Sequence, residues 1–290
     1  MNRRIEIKRE LSFLMLLMFM VQFATGQDQI DPGKVLRKIW ESPAEFMTPE
    51  SAYYDTDRDI IYVSNINSKP AEKDGNGFIS KLGTNGKIIE LKWVEGLNAP
   101  KGIGLLGNKL FVTDIDELVV INIEDGKISR RYPVDGAMFL NDVAIDEKGN
   151  VFFSDMQTNS IHKLEKGMVP VWLQGDEIKP TNGLIAVDGE LLVGCSKLLK
   201  IDIQNKKISV LQDSLESGID GIAMDAKGRI VFSHWKGKVF LLNEENQPIN
   251  ILDTSAENIQ SADIFIIHDN NILLVPTFFD NRVVAYRISR

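Results

Sequence analysis

The sequence predicts an all-β chain folded as a six-bladed β-propeller. Three observations carry that prediction. One grammar recurs six times at a spacing of roughly forty residues. Within each copy, short segments alternate apolar and polar positions with period two and are cut by Gly, Asn and Asp turns, which a helix does not tolerate. Finally, the last copy lacks one strand and the first is preceded by one too many.

The repeat itself reads PESAYYDTDRDIIYVSN, PKGIGLLGNKLFVTD, LNDVAIDEKGNVFFSD, TNGLIAVDGELLVGC and IDGIAMDAKGRIVFSH, with SADIFIIHDNNILLVPT as a weaker sixth copy. Each copy opens on an anchor followed by a small residue, passes through a polar turn and ends in a β-branched strand. The anchors are Glu50, Lys101, Asn141, Asn182, Asp220 and Ala262, spaced by 51, 40, 41, 38 and 42 residues, the length of a four-stranded blade. The long first interval contains the loop NINSKPAEKDGNG. Third strands follow as GFISKL, LVVINI, SIHKL, LLKIDI, KVFLL and RVVAYRI. Fourth strands follow in five copies, as KIIELKWV, KISRRYPV, MVPVWLQ, KISVLQD and PINILD. The sixth copy ends without one, and KVLRKIWES stands unclaimed before the first. Pairing that N-terminal strand into the last blade closes the ring and leaves no large open sheet edge.

Ahead of the repeats, residues 1–26 read as a secretory signal peptide: Arg3, Arg4, Lys8 and Arg9, then the apolar run LSFLMLLMFMVQFA, then the small-residue exit Ala24-Thr25-Gly26. The run is shorter than the roughly 20 residues of a spanning helix. Cleavage would leave residues 27–290 as one propeller domain, secreted or periplasmic, with no stable membrane association. Composition narrows the partners. A net charge of −8 gives no basic footprint for nucleic acid. One cysteine, Cys195, excludes an internal disulfide and multi-cysteine metal sites. No P-loop, G-x-S-x-G or H-E-x-x-H string is present. A small-molecule substrate is the partner class left.

In a propeller the first strand of each blade lines the channel, so equivalent residues form a ring around its axis. Two carboxylates and two amides meeting at a channel mouth repel one another and lose hydration unless a cation joins them. Their hard oxygens suit Ca²⁺ first, with Mg²⁺, Mn²⁺ or Zn²⁺ as alternatives. Glu50, Asn141, Asn182 and Asp220 are therefore the expected metal ligands.

These residues and their strings (PES, LND with VAIDEKGNVFFSD, TNGL, IDGIAMDAKG) resemble the senescence-marker-protein/gluconolactonase/luciferin-regenerating-enzyme family. More distantly they are similar to the calcium-dependent phosphotriesterase and paraoxonase propellers. The resemblance covers residues from about 36 to 290. It implies one divalent cation held by a Glu, two Asn and an Asp, matching Glu50, Asn141, Asn182 and Asp220. It also implies hydrolysis of a lactone or related ester, the metal polarising the carbonyl and its water attacking, with Asp220 as proton acceptor.

The departures bear on substrate. Sugar-acting members of that family carry an Arg where Phe139 stands, which favours a more apolar substrate here. Lys101 is an unusual anchor: at about 6 Å from a dication it would meet roughly 5–6 kcal/mol of repulsion at an effective dielectric of ~20. It is expected to face a ligand's negative charge, to pair with an acidic neighbour, or to replace the metal. A second ring is formed by strand ends Asn65, Asp114, Asp155, Cys195, His234 and Pro276. Asp155 is a candidate substrate-side group and His234 a candidate acid–base residue, against the alternative that such residues only bind turn amides. Cys195 is read as a small buried filler. The four Trp are expected between blades, and Phe278 and Phe279 either wall the pocket or pack in the core. A metal-dependent lactonase and a non-catalytic extracytoplasmic binding propeller are the two functional classes.

Overall fold

The computed structural model describes residues 35–213, 215 and 218–289; the signal-peptide expectation for residues 1–26 lies outside them. Six four-stranded antiparallel sheets make up the fold. A first strand, β1 (Leu36–Glu41), precedes blade one. Blade one comprises β2 (Pro49–Asp55), β3 (Ile60–Asn65), β4 (Gly77–Gly83) and β5 (Ile88–Leu97). Blade two comprises β6 (Pro100–Leu106), β7 (Lys109–Asp114), β8 (Glu117–Asn122) and β9 (Lys127–Pro133). Blade three comprises β10 (Leu140–Ile145), β11 (Val151–Asp155), β12 (Ser160–Lys163) and β13 (Val171–Gln174). Blade four comprises β14 (Leu184–Val187), β15 (Glu190–Gly194), β16 (Leu198–Asp202) and β17 (Ile208–Gln212). Blade five comprises β18 (Ile219–Met224), β19 (Ile230–His234), β20 (Lys238–Leu242) and β21 (Pro248–Asp253). In the sixth sheet, β22 (Phe265–Ile267), β23 (Ile272–Pro276) and β24 (Val283–Ile288) are joined by β1, in the order β1-β24-β23-β22. Leu36 faces Ile288 and Glu41 faces Val284 across that pair.

The core is divided among the blade interfaces rather than gathered at one centre. Phe111, Leu118 and Val120 of blade two meet Val143, Val151 and Phe153 of blade three. Ala52, Ile61 and Val63 of blade one meet Leu274, Val283 and Ala285 of blade six in the same way. A middle strand is thus covered on both faces, which is why VFFSD of β11 is buried throughout. The outermost strands are covered on one face only, and KISRRYP of β9 is mostly exposed or half-buried.

Three tryptophans lie where the sequence places them, each against the neighbouring blade. Trp40 sits over Gly86, where an added Cβ would come within 2.7 Å of the indole. Trp93 covers Gly126 likewise, at 2.8 Å. Trp172 accepts a hydrogen bond from Lys206 on its carbonyl at 2.6 Å. Trp235 differs: it is 39% exposed and stands beside Phe278 and Phe279.

Candidate active site at the propeller mouth

A local irregularity aims the anchors. Pairing of the first two strands shifts register between Pro49 and Ala52, Pro100 and Ile103, Leu140 and Val143, and Ile219 and Ile222. A bulge of this kind re-aims side chains and frees a backbone amide. The freed amide is recovered by a hydroxyl on the second strand: Ser51 N donates to Ser64 Oγ at 3.0 Å, Asp142 N to Ser154 Oγ at 2.9 Å, and Gly221 N to Ser233 Oγ at 2.8 Å. The Ser before the strand end in blades one, three and five therefore supports the residue after the anchor, one strand away.

Four of the six anchors are polar and buried, with Glu50, Lys101, Asn141 and Asp220 between 1% and 6% exposed. Asn182 is half-buried, and its Nδ2 donates to Asp220 Oδ1 at 2.7 Å. Asn182 Oδ1 and Glu50 Oε2 are both buried without a hydrogen-bond partner. Burial raises the Glu50 carboxyl well above its ordinary range, and the charges of Asp220 and Asp142 push it further against an opposing effect of Lys101. Burial likewise pushes Asp220 up to about 6, with the Asn182 hydrogen bond opposing. Among the described residues no group of three or more His, Cys, Asp or Glu side chains is arranged to hold a metal ion. A cation at the anchors would need the Asn oxygens as well as the two carboxylates. The unpartnered oxygens of Glu50 and Asn182 fit that donor set.

Two acidic residues at the mouth escaped the sequence reading. Asp142 and Asp263 occupy the slot after the anchor, which elsewhere holds Ser51, Gly102, Gly183 or Gly221. That slot faces the next blade's first strand so closely that a Cβ on Gly183 would collide with Asp220 O. In blades three and six an Asp bridges the gap instead. Asp142 accepts from Leu184 N at 2.5 Å and Val143 N at 2.6 Å. Asp263 accepts from Ser51 Oγ at 2.7 Å, while its own N–H donates to Glu50 O at 3.0 Å. Burial lifts Asp142 to about 7. It lifts Asp263 well above its usual range, with Asp142 and Glu50 adding to the effect. The signal in the sequence was an Asp at a Gly/Ser position in two of six copies.

Lys101 resolves its position without a direct ion pair to Glu50. Its Nζ donates to Ala99 O at 2.9 Å and lies 4.4 Å from the centre of the Phe139 ring. Burial lowers its proton affinity to about 8, against the charges of Glu50 and Asp114.

The second ring is occupied with backbone work. Asp155 accepts from the N–H groups of Met138, Phe139, Gln157 and Thr158. Asp114 accepts from Asn98 N and Ala99 N at 2.8 and 2.7 Å. Asn65 accepts from Met47 N and donates to Val63 O and Ser80 Oγ. His234 Nδ1 accepts from Lys236 N at 3.3 Å. Cys195 is buried, and its Sγ both donates to Lys197 O and accepts from Lys197 N.

With this geometry in hand, comparison with known proteins gives structural relatives only. No family model and no curated protein matches the chain. A catalytically inactive variant of virginiamycin B lyase from Staphylococcus aureus, solved with quinupristin, superposes with TM-score 0.61 at 16% identity, covering 88% of this chain and 99% of that one. A streptogramin B lyase gives TM-score 0.64 at 14% identity over 88% and 97% of the two chains. A gluconolactonase candidate gives 0.63 at 14% identity over 88% and 92%. The shared property is the fold. Residue roles at the mouth have to come from this chain's own chemistry.

Proposed function

We propose that the chain is a hydrolase- or lyase-type propeller that opens a lactone or related ester at the mouth, with one divalent cation, Ca²⁺ first, held by Glu50, Asn141, Asn182 and Asp220. The observation that supports this reading is the pair of buried oxygens without partners, Glu50 Oε2 and Asn182 Oδ1, among carboxyls whose charged forms are destabilised. Buried polar atoms ordinarily find a partner, so unpaired oxygens amid negative charge indicate a cationic guest. When bound there, such a cation supplies charge neutralisation and polarisation of the substrate carbonyl.

The chain's own residues then have distinct tasks. Asn182 fixes Asp220 through its Nδ2, and Asp220, beside the bound cation, would serve as the proton acceptor. His234 has Nδ1 engaged with Lys236 N, so proton transfer by this residue runs through Nε2. Lys101, held over Phe139, offers positive charge to the carboxylate that ester opening releases. Asp155 positions Phe139 through the Phe139 N–H. The start of the sequence, charged, then apolar, then small at the exit, supports a secreted or periplasmic setting for this activity.

The test combines metal analysis of the purified protein with turnover of a lactone panel, with and without chelator. Chelator-sensitive opening that is lost in Asp220→Asn and Asn182→Ala is the expected result. Absence of both a stoichiometric divalent ion and turnover would overturn the proposal. One observation favours the alternative, a non-catalytic binding propeller: Lys101 already places a buried ammonium in the field of Glu50. In that case melting would be indifferent to calcium.

A further inference from the structure

One side of the mouth is built from aromatic rings. Trp235 follows β19, and Phe278 and Phe279 follow β23, so adjacent blades present them at the anchor end. The rings pack edge to face: Trp235 to Phe278 at 5.6 Å and 80°, Trp235 to Phe279 at 6.1 Å and 84°, and Phe278 to Phe279 at 4.8 Å and 81°. Phe278 is buried among Ala262, Ala99, Ile66 and Ile115, which joins the trio to the sixth anchor and to the residue whose carbonyl holds Lys101. Trp235 and Phe279, by contrast, are 39% and 61% exposed. Phe278 adopts φ 50°, a left-handed conformation that costs a non-glycine residue energy and recurs at ligand sites. Phe278 thus packs inward while Trp235 and Phe279 beside it stay open to solvent at the anchor end.

The polar anchors Asn141, Asn182 and Asp220 stand on blades three, four and five, Asp220 on the same blade as Trp235. Around the rim, the carboxylates of Asp114 and Asp155 are committed to backbone N–H groups. An apolar ring or alkyl chain laid on the exposed rings of Trp235 and Phe279 removes more apolar surface from water than a ring edged with hydroxyls does. We propose that Trp235, Phe278 and Phe279 form the subsite for an apolar ring or alkyl chain of the substrate, so that the substrate is a hydrophobic lactone or ester rather than a sugar lactone. This rests on the reading of the mouth as the reacting site.

The experiment uses the purified chain with Ca²⁺ and a matched series: γ-butyrolactone, its n-hexyl- and phenyl-substituted derivatives, and glucono-δ-lactone. The substituted lactones are expected to exceed the unsubstituted one in kcat/KM by about tenfold or more, mainly through KM. Phe279→Ala and Trp235→Ala should each shrink that ratio by about 3- to 10-fold. Met168→Ala, an exposed apolar residue of blade three outside the mouth, should leave it alone. Preference for glucono-δ-lactone, or a ratio indifferent to both aromatic variants, overturns the subsite while the reacting site stands. If no lactone turns over, the reading of the mouth fails and binding decides the subsite. Saturable quenching of tryptophan fluorescence by the phenyl derivative, absent in Trp235→Phe and weakened in Phe279→Ala, supports it; no such quenching overturns it.

Discussion

The two rings at the mouth are made of the same kinds of residue and do opposite things. Asp155, in the second ring, is fully buried and accepts four backbone N–H groups. Glu50, in the first, is almost as buried, yet leaves Oε2 without a partner. A saturated carboxylate is part of the architecture, because its charge is compensated where it sits. An unsaturated one stores unfavourable electrostatics that only a proton or a cation can relieve. The hydrogen-bond account of each acid therefore separates scaffold from candidate chemistry where residue type does not.

The largest expected effect tests the scaffold side. Asp155→Ala removes the buried acceptor of four backbone N–H groups in half-buried turns and should lower unfolding free energy by about 2–3 kcal/mol in denaturant titration. A loss under about 1 kcal/mol would erase the distinction between the rings. The ligand side comes next. Calcium at a hundred times its dissociation constant should stabilise the protein by about 2.7 kcal/mol, read as a rise of several degrees in Tm. That rise should disappear in Glu50→Gln and in Asn182→Leu. Identical melting with calcium and with chelator would leave the unpaired oxygens without the guest we assign them.

A third effect is smaller and runs against ordinary acid denaturation. Asp220 and Asp142 have folded-state proton affinities raised to about 6 and about 7. A raised carboxyl contributes stability that is complete below its unfolded value near 4 and is lost as pH climbs through the folded value. Chelated protein should thus melt a few degrees higher at pH 5.5 than at pH 7.5, and Asp220→Asn should flatten that slope. A slope of opposite sign would show that these carboxyls are ionised at little cost.

The architecture was legible because each blade repeats its turn and strand chemistry locally: the intervals between anchors, and the surplus strand before Glu50, are visible without coordinates. The ring of anchors was legible for the same reason, since Glu50, Asn141, Asn182 and Asp220 share one slot of the repeat. Asp142 and Asp263 were not, because their slot reads as a small-residue position and its contact lies on the next blade, 42 residues away for Asp142 and 212 for Asp263. Nor did the sequence separate Trp235 from Trp40, Trp93 and Trp172. All four stand in or beside strands, and only the fold shows that three cover a neighbouring blade while one borders the mouth. Phe278 packs among Ala262, Ala99, Ile66 and Ile115 with φ 50°, a backbone conformation that no pattern of apolar residues encodes.

The finest test of the contrast between rings is Glu50→Gln in chelated protein, read as a difference in Tm across pH. Gln keeps the volume of Glu and removes its charge, so the variant isolates the electrostatic contribution. Burial and the charge of Asp220 raise the Glu50 carboxyl well above its ordinary range, so the folded protein holds this proton more tightly than the unfolded chain. Near pH 4, where the unfolded chain holds that proton too, the two proteins should therefore melt within about a degree of each other. As pH rises, the unfolded chain releases this proton before the folded one does, while Lys101, pushed down to about 8, gives up the positive charge that opposes Asp220 and Asp142 around Glu50. Wild type should then fall below the variant by a few degrees, the gap widening with pH, because a raised acid loses its contribution as it deprotonates. Added calcium should reverse the order, since ionised Glu50 is then paired and the neutral amide of the variant is the weaker ligand. A pH-independent gap would mean that Glu50 is held by interactions as complete as those of Asp155, and the contrast between the rings would collapse.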